Sequence, residues 1–368
     1  MFYLSGNMAI HSISKNIFGL LGTVCAFSSC QSHGLAHSVR DSSECSVCKA
    51  PSRATAVKAS LSQDSNTVNG VDTGKMLLLQ GGTFEMGSNN FPDAQPVHKV
   101  VLDPFYMDEH EVTNDQFAKF EEATHYKTVA ERPLDPKDYP DVPKDKLVPG
   151  SGVFTPPDHP VDLHDPMGWW RYVAGADWRH PQGPHSNIVG KGHYPVVQVC
   201  YEDCVAYAKW AGKRLPTEAE WEFSAKGGHS YPVYYWGMEK TAKGKYMANN
   251  FQGNFPYSNT KADGYAGVAP IRQYPSNPYG LYDMEGNVWE WCSDFYRPDY
   301  YAKSPTTNPQ GPNDSYDLEE PNAVKRVQRG GSFLCSDDYC LRYKVGSRGK
   351  GEQSSASDNL GFRCAQNK

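Results

Sequence analysis

Two cysteines, Cys335 and Cys340, have the spacing in this chain that most suggests chemistry. They stand in Arg329-Gly-Gly-Ser-Phe-Leu-Cys-Ser-Asp-Asp-Tyr-Cys340. Gly330 and Gly331 let the backbone turn sharply just before them. No second Cys or His pair lies nearby at ligand spacing, so this is not a zinc pattern. Two readings stay open on spacing alone. One is a local disulfide in an exported protein. The other is a pair of reactive thiols, redox-active or holding a soft metal. Two thiolates with no imidazole or carboxylate beside them favour Cu(I) over harder ions.

Other groups are weaker. Asn249-Asn250 with Asp263-Gly-Tyr265, and Asp283-Met-Glu-Gly286-Asn-Val288-Trp-Glu290, offer the oxygen ligands that Ca²⁺ takes. Asp and Asn also shape turns without any metal, and spacing alone favours that simpler reading. His180, His185 and His193 are too irregularly spaced to stand above ordinary loop histidines. Glu218, Glu220 and Glu222 look like a carboxylate cluster. However, Thr217 with Glu220 forms a capping-box pattern, and first-turn acids suit the helix dipole.

The elements that must position these groups are short. Met76 to Gln80 reads as a strand, Gly81-Gly82 as a turn, Thr83 to Ser88 as a second strand, and Val97 to Phe105 alternates as a third. Thr113 caps a helix with Phe117, Phe120 and Ala123 as its apolar stripe. Residues 131–195, rich in Pro, Asp, Gly and His, promise little regular structure, yet they hold Trp169, Trp170 and Trp178. Glu202 to Gly212 reads as a helix burying Val205, Ala208 and Trp210, and a further helix follows Thr217.

The chain has 368 residues, 33 glycines, 27 prolines and 12% aromatics, which points to a loop-rich body packed by aromatic rings rather than a helical bundle. Its net charge of −6, without a basic block, argues against a nucleic-acid partner. Ile17 to Phe27 is a short apolar run after Lys15, followed by Ser28-Ser29-Cys30. This fits a signal segment over residues 1–30, with Cys30 a candidate lipid-anchor site. Export to a periplasm or cell envelope, or to a secretory lumen in a eukaryote, is the expected localisation. Residues 31–72 read as a flexible linker carrying Cys45-Ser-Val-Cys48, and residues 73–368 as the folded domain.

Several stretches together resemble the formylglycine-generating enzyme (sulfatase-modifying factor) family. They are Gly82-Thr-Phe-Glu-Met-Gly87, Phe105-Tyr-Met-Asp-Glu-His-Glu-Val-Thr-Asn114, Trp210 to Glu222, Gly286-Asn-Val-Trp-Glu-Trp291, Arg329-Gly-Gly-Ser332 and Leu360-Gly-Phe-Arg363. Gly175 to Pro184 and the Cys335/Cys340 pair narrow the likeness to the family's true formylglycine generators. The resemblance implies an α+β fold, a single mixed domain of low regular content related to C-type lectin-like folds. It implies oxidation of the cysteine in a sulfatase Cys-x-Pro-x-Arg motif to formylglycine, using O₂ and copper. Carried over, Cys335 and Cys340 would hold Cu(I), the substrate thiol would join them, and O₂ would sit near Ser332, Trp289, Tyr339 and Asn359. Two structural Ca²⁺ sites carry over as well. The first would use Asn249 and Asp263 side chains with Asn250 and Tyr265 carbonyls. The second would use Asp283 and Glu290 side chains with Gly286 and Val288 carbonyls.

Departures from the family pattern are visible. Ser336, Asp337 and Asp338 make the segment between the cysteines more acidic than in the animal enzyme. By the resemblance, Ala208, Ala225 and Val345 stand where three of that enzyme's disulfide cysteines would be, leaving Cys364; Cys204, one turn before Ala208 on the same helix face, is the partner expected for it instead, with Cys200 and Cys292 unassigned. The rival reading is a non-catalytic envelope lipoprotein that uses the fold as a scaffold, with Cys335–Cys340 a disulfide. Cys48-Lys-Ala-Pro51-Ser52-Arg53 looks like the substrate motif with one residue inserted. It reads either as a tethered substrate mimic or thiol relay, or as an incidental pair in an unstructured tail.

Overall fold

The computed structural model describes residues 65–68, 70–230 and 233–368. The expected signal segment, Cys30 and the Cys45/Cys48 stretch lie outside them. Among the described residues, sixteen short strands, three α-helices and five short 3-10 helices make up the regular structure. Among the described residues no helix is long and apolar enough to cross a membrane.

One four-stranded sheet has the order β1 (Ser65–Val68), β2 (Val71–Leu79), β5 (Phe105–Asp108), β16 (Ala365–Asn367). Its β2–β5 register sets Leu77 opposite Met107, both buried. Beside it β3 (Gly82–Met86) pairs antiparallel with β4 (His98–Leu102), and Val100 and Leu102 point inward. The expected strand 97–105 is therefore two strands, divided at Asp103-Pro104, where proline cannot donate to a ladder. The second sheet runs β14 (Gly349–Glu352), β13 (Lys325–Arg329), β12 (Trp289–Phe295), β15 (Leu360–Gly361), with β15 parallel to β12. Residues 131–195 correct an expectation, because β6 (Gly150–Phe154) and β7 (Trp170–Ala174) form a regular antiparallel hairpin there. Between β7 and β12 lie two small hairpins, β8 (Thr241–Ala242) with β9 (Lys245–Tyr246), and β10 (Gly253–Asn254) with β11 (Ser258–Asn259).

Helix α1 (Asn114–Thr124) starts at a full capping box between Thr113 and Gln116. Phe117 and Phe120 are buried, whereas Ala123 is exposed. Helix α2 (Tyr201–Trp210) buries Cys204, Tyr207 and Ala208. Val205, expected inside, is 40% exposed, because the inward face is set by the i, i+3, i+4 row that starts at Cys204. Helix α3 (Glu218–Lys226) has its capping box at Thr217 and Glu220 and ends on Gly227 in the left-handed conformation, with φ 57°. One core packs α3 against β2 to β5 and the β12–β13 pair. A second packs α1 and α2 against Trp291, Leu360 and Phe362. The two sheet-borne strands β12 and β13 run between these cores and end at the site.

Candidate active site

The site is built on the end of β13. Glu290 on β12 faces Arg329 on β13, and the chain then turns through Gly330 and Gly331 with φ +90° and +74°. A Cβ on Gly331 would lie 2.6 Å from Tyr343 Cβ, so a side chain is excluded there both by backbone conformation and by space. The Cys335 N–H donates to Ser332 O at 2.9 Å and the Cys340 N–H to Ser336 O at 3.0 Å. These two turns fold the cysteines together, with their sulfurs 2.8 Å apart and both thiols free. Cys335 is buried and Cys340 half-buried. Burial and the neighbouring sulfur push the Cys335 thiol well up. The contact between the two sulfurs holds Cys340 below its ordinary value, against the opposing effect of burial. Of the two, Cys340 gives up its proton the more readily.

Cys335, Cys340, Ser332, Trp289, Tyr339 and Asn359 all line one cleft of about 400 Å³. Asn359 Nδ2 donates to Ser332 Oγ at 3.0 Å, and Ser357 Oγ donates to Asn359 Oδ1 at 2.8 Å. The Asn359 carbonyl accepts the Trp289 N–H at 2.9 Å, which locks this polar corner to β12. A Cβ on Gly349 would reach within 2.6 Å of the Trp289 ring, so glycine is what leaves the indole room against β14. Tyr339 stacks on Phe255, with centroids 4.6 Å apart and 4° between the planes, and meets Trp169 edge-on at 5.2 Å. Sequence reasoning named Tyr339 but gave no role to Phe255 and Trp169 beside it, to Lys350, or to Arg342 and Arg348, which also line the cleft. Arg342 grips both oxygens of Asp93, at 3.0 and 2.9 Å. Arg348 is fully buried and takes both oxygens of Glu218.

The expected acidic trio is structural. Glu218 and Glu222 form buried ion pairs with Arg329, and Glu220 serves its helix cap and Arg214. No disulfide joins the described cysteines. Cys200, Cys204, Cys292, Cys335, Cys340 and Cys364 are all free, so the expected Cys204–Cys364 bond is not formed. Both thiols lie in the second core among aromatic and aliphatic side chains and pack as small apolar groups, their titration pushed well up by burial.

Among the described residues no three His, Cys, Asp or Glu side chains converge as a metal site, His180, His185 and His193 included. The copper donor set is two thiols, which suits a soft ion that takes its third ligand from elsewhere. The calcium assignments rest on amide and carbonyl oxygens with few acids, and each has a spare buried acceptor. Asn249 Oδ1 and Asp283 Oδ1 have no hydrogen-bond partner. Asp263 receives the Asn250 and Tyr265 N–H groups at 2.9 and 3.0 Å, which holds the first loop together. At the second, Glu290 is already engaged by Arg363, at 2.7 Å on each oxygen. Glu111, like Asp283 and Glu285, has a buried oxygen without a hydrogen-bond partner, and sequence reasoning missed it although it lies inside a quoted motif. Burial and the nearby Asp283 push Glu111 well up, and burial pushes Asp283 up to about 6. These residues fit a cation that would relieve the repulsion. Chelator should then lower the melting temperature by roughly 5 °C or more, since an ion bound only to the folded state stabilises it by mass action. Asp263→Ala should blunt that response. A melting temperature equal in chelator and in excess calcium, followed by differential scanning fluorimetry, would reject both sites.

The described geometry defines a class, a mixed α and β domain of few helices with a paired-thiol cleft. The family described as the sulfatase-modifying factor enzyme 1-like domain matches residues 62–368. The formylglycine-generating enzyme of Mycobacterium tuberculosis is 47% identical over 291 residues, covering 79% of this chain and 97% of that protein. The inactive C-alpha-formylglycine-generating enzyme 2 of Bos taurus is 37% identical over 300 residues, covering 80% and 88%. Among solved structures, PvdO from Pseudomonas aeruginosa matches with a TM-score of 0.54 at 23% identity, covering 80% of this chain and 95% of that one, a likeness of fold alone. The chain belongs to the formylglycine-generating enzyme (sulfatase-modifying factor) family.

Proposed function

We propose that this chain matures sulfatases, oxidising the cysteine of a Cys-x-Pro-x-Arg motif to Cα-formylglycine with O₂ and copper. The observation that carries the reading is the free Cys335–Cys340 pair in the cleft beside Ser332 and Asn359. Cys335 and Cys340 would hold Cu(I), which supplies the electron transfer to O₂ that no amino-acid side chain performs alone. The protein's share is positioning. The Gly330-Gly331 turn fixes both sulfurs, and the Ser332–Asn359–Ser357 chain orients a polar corner beside them. The Tyr339, Phe255 and Trp169 rings form a wall against which an extended peptide can lie. The scaffold reading has Cys335–Cys340 as a disulfide, whereas both thiols are free here, although one relative, in Bos taurus, is described as inactive.

The test is direct. Reduced protein loaded with Cu(I) should convert a Leu-Cys-Thr-Pro-Ser-Arg peptide to a product lighter by about 18 Da, with O₂ consumed. Full copper loading without product on several such peptides would overturn the reading. Copper affinity should also rise with pH. Burial holds Cys335 protonated, and its proton must leave when the metal binds. The logarithm of the association constant should climb by about one or more per pH unit around neutrality. Competition with a coloured Cu(I) chelator reads this, and a flat profile would mean that Cys335 is not a ligand.

A further inference from the structure

Behind the cleft, the thiol pair is backed by rings that give up electrons. Cys335 clusters with Tyr234 and Tyr343, and Trp236 and Cys340 pack against that cluster. The Tyr234 and Tyr343 ring centres are 6.0 Å apart, with 23° between the planes. Trp236 then stacks on Tyr234 at 4.6 Å and 3°. Tyr343 and Tyr234 are 1% and 3% exposed, whereas Trp236 is half-buried and stands two residues before the exposed Met238. None of these three rings lines the cleft. They make a continuous file from the sulfurs to the surface.

Rings also pack for their own sake, and phenylalanine would serve that purpose. Two features go further. Every ring in the file is a phenol or an indole, the aromatic side chains that lose an electron most readily. The first of them also has a proton acceptor. Tyr343 Oη donates to Asp337 Oδ1 at 2.5 Å, while Lys240 Nζ lies 3.1 Å from the other Asp337 oxygen and 5.9 Å from the Tyr343 ring centre. An oxidised ring buried beside that ammonium holds a positive charge only at high cost, so the phenolic proton must leave with the electron. Asp337, its side chain 54% exposed, is placed to take that proton and pass it to water. Other routes end inside. Trp289 lines the cleft itself, and Tyr339 leads to Phe255 and to the fully buried Trp169.

We propose that Tyr343, Tyr234 and Trp236 are an electron relay between the Cys335/Cys340 pair and the surface, draining oxidising equivalents that form there when no substrate thiol is bound. The source of those equivalents rests on the formylglycine reading, whereas the path does not. A sulfur radical at Cys335 takes one electron from Tyr343 and one proton from solvent, and becomes the thiol again. Tyr343 releases its own proton to Asp337, and Tyr234 and then Trp236 refill the vacancy. A soluble thiol gives Trp236 the last electron and loses a proton. Two such thiols end as one disulfide, so electrons and protons balance.

An electron path works in both directions, so it is tested first without metal or substrate. The reduced, metal-free full chain is flashed without O₂ beside a ruthenium tris-bipyridine sensitiser and a cobalt(III) pentaammine acceptor. This leaves ruthenium(III), a bulky cationic one-electron oxidant, in solution. Two such ions withdraw two electrons from the pair, two protons leave, and the Cys335–Cys340 disulfide forms, counted by alkylation and peptide mass spectrometry. Tyr234→Phe and Trp236→Phe each keep a ring in the stack and should cut that yield severalfold, with melting temperatures confirming that both are folded. Tyr316→Phe removes a phenol of 37% exposure off the path and should leave the yield unchanged. Equal yields in all these proteins, or an equal loss in Tyr316→Phe, would overturn the proposal. The copper-loaded chain is then held in O₂ and soluble thiol without peptide. Oxygen adducts should gather on Trp236 and Met238 in the unaltered chain, and sulfinic or sulfonic acid on Cys335 and Cys340 in Tyr234→Phe. The same products in both chains would remove the draining role. Peptide turnover, measured alongside, bears on the formylglycine reading separately. Its absence would remove that reading, while the flash yields would still decide the path.

Discussion

Cys335→Ser and Cys340→Ser should each lose turnover by at least about 10³-fold, while melting within a few degrees of the unaltered protein. The size of the loss follows from the donor set. The sulfurs sit 2.8 Å apart and, among the described residues, no third His, Cys, Asp or Glu joins them as a metal-ligand group, so one thiolate and one hard hydroxyl cannot hold Cu(I) tightly. The small structural cost follows from shape. Cys335 is packed against Tyr234 and Tyr343, so deletion would leave a cavity, but serine nearly fills the site and its hydroxyl can still bond the remaining sulfur. Ser332→Ala separates holding copper from using it. That variant should load copper normally and turn over 10- to 100-fold more slowly, the usual scale for a supporting hydrogen bond. Copper affinity by chelator competition and product by mass spectrometry read all three variants. Normal copper affinity in Cys335→Ser would end the ligand assignment. A Cys335→Ser chain that unfolds, beside an unaltered chain that binds no copper, would favour a purely structural pair.

What could be read in the sequence was mostly local. Thr113 with Gln116 and Thr217 with Glu220 satisfy orphan N–H groups three residues on, so both helix starts are visible in a short window. The hairpin β6–β7 was not visible, because Gly150-Ser-Gly152 carries no strand signal and is held by its partner strand and by Asp358, which accepts from the Phe154 N–H. The same division runs through the site. Spacing singled out Cys335 and Cys340, which two tight turns bring together. Trp289 and Asn359 lie far apart in the chain and meet where β15 runs parallel to β12, a contact that only the family resemblance anticipated. Local reading assigned Glu218 and Glu222 to a helix start, which is where they lie. It could not see that they face Arg329 and Arg348 across more than a hundred residues, because those partners arrive with the second sheet.

That hidden network sets the last expectation. Glu222→Gln should destabilise the fold at neutral pH by about 3 kcal/mol, and the loss should fade in acid. Glu222 is fully buried, one oxygen accepting from Arg329 at 2.8 Å and the other from the Gly87 N–H at 2.7 Å and Lys226 at 3.0 Å. Burial alone would raise its titration, but Lys226 and Arg329 outweigh that and bring it from the ordinary 4.5 down to about 2. A carboxylate depressed in the folded state stabilises fully above its unfolded value and stops doing so as pH falls through its folded one. The contribution is therefore present above about pH 4.5 and lost between there and about pH 2. Glutamine keeps the volume but leaves Arg329 with Glu218 as its single carboxylate partner and Lys226 with none from this side chain. Urea unfolding in constant calcium should show a wide gap between the two proteins at pH 7 and a much narrower one at pH 3, the unaltered chain losing stability faster on the way down. A gap of the same size at both pH values would mean that the shape of Glu222, not its charge, is what holds Arg329 and the turn leading to Ser332 in place.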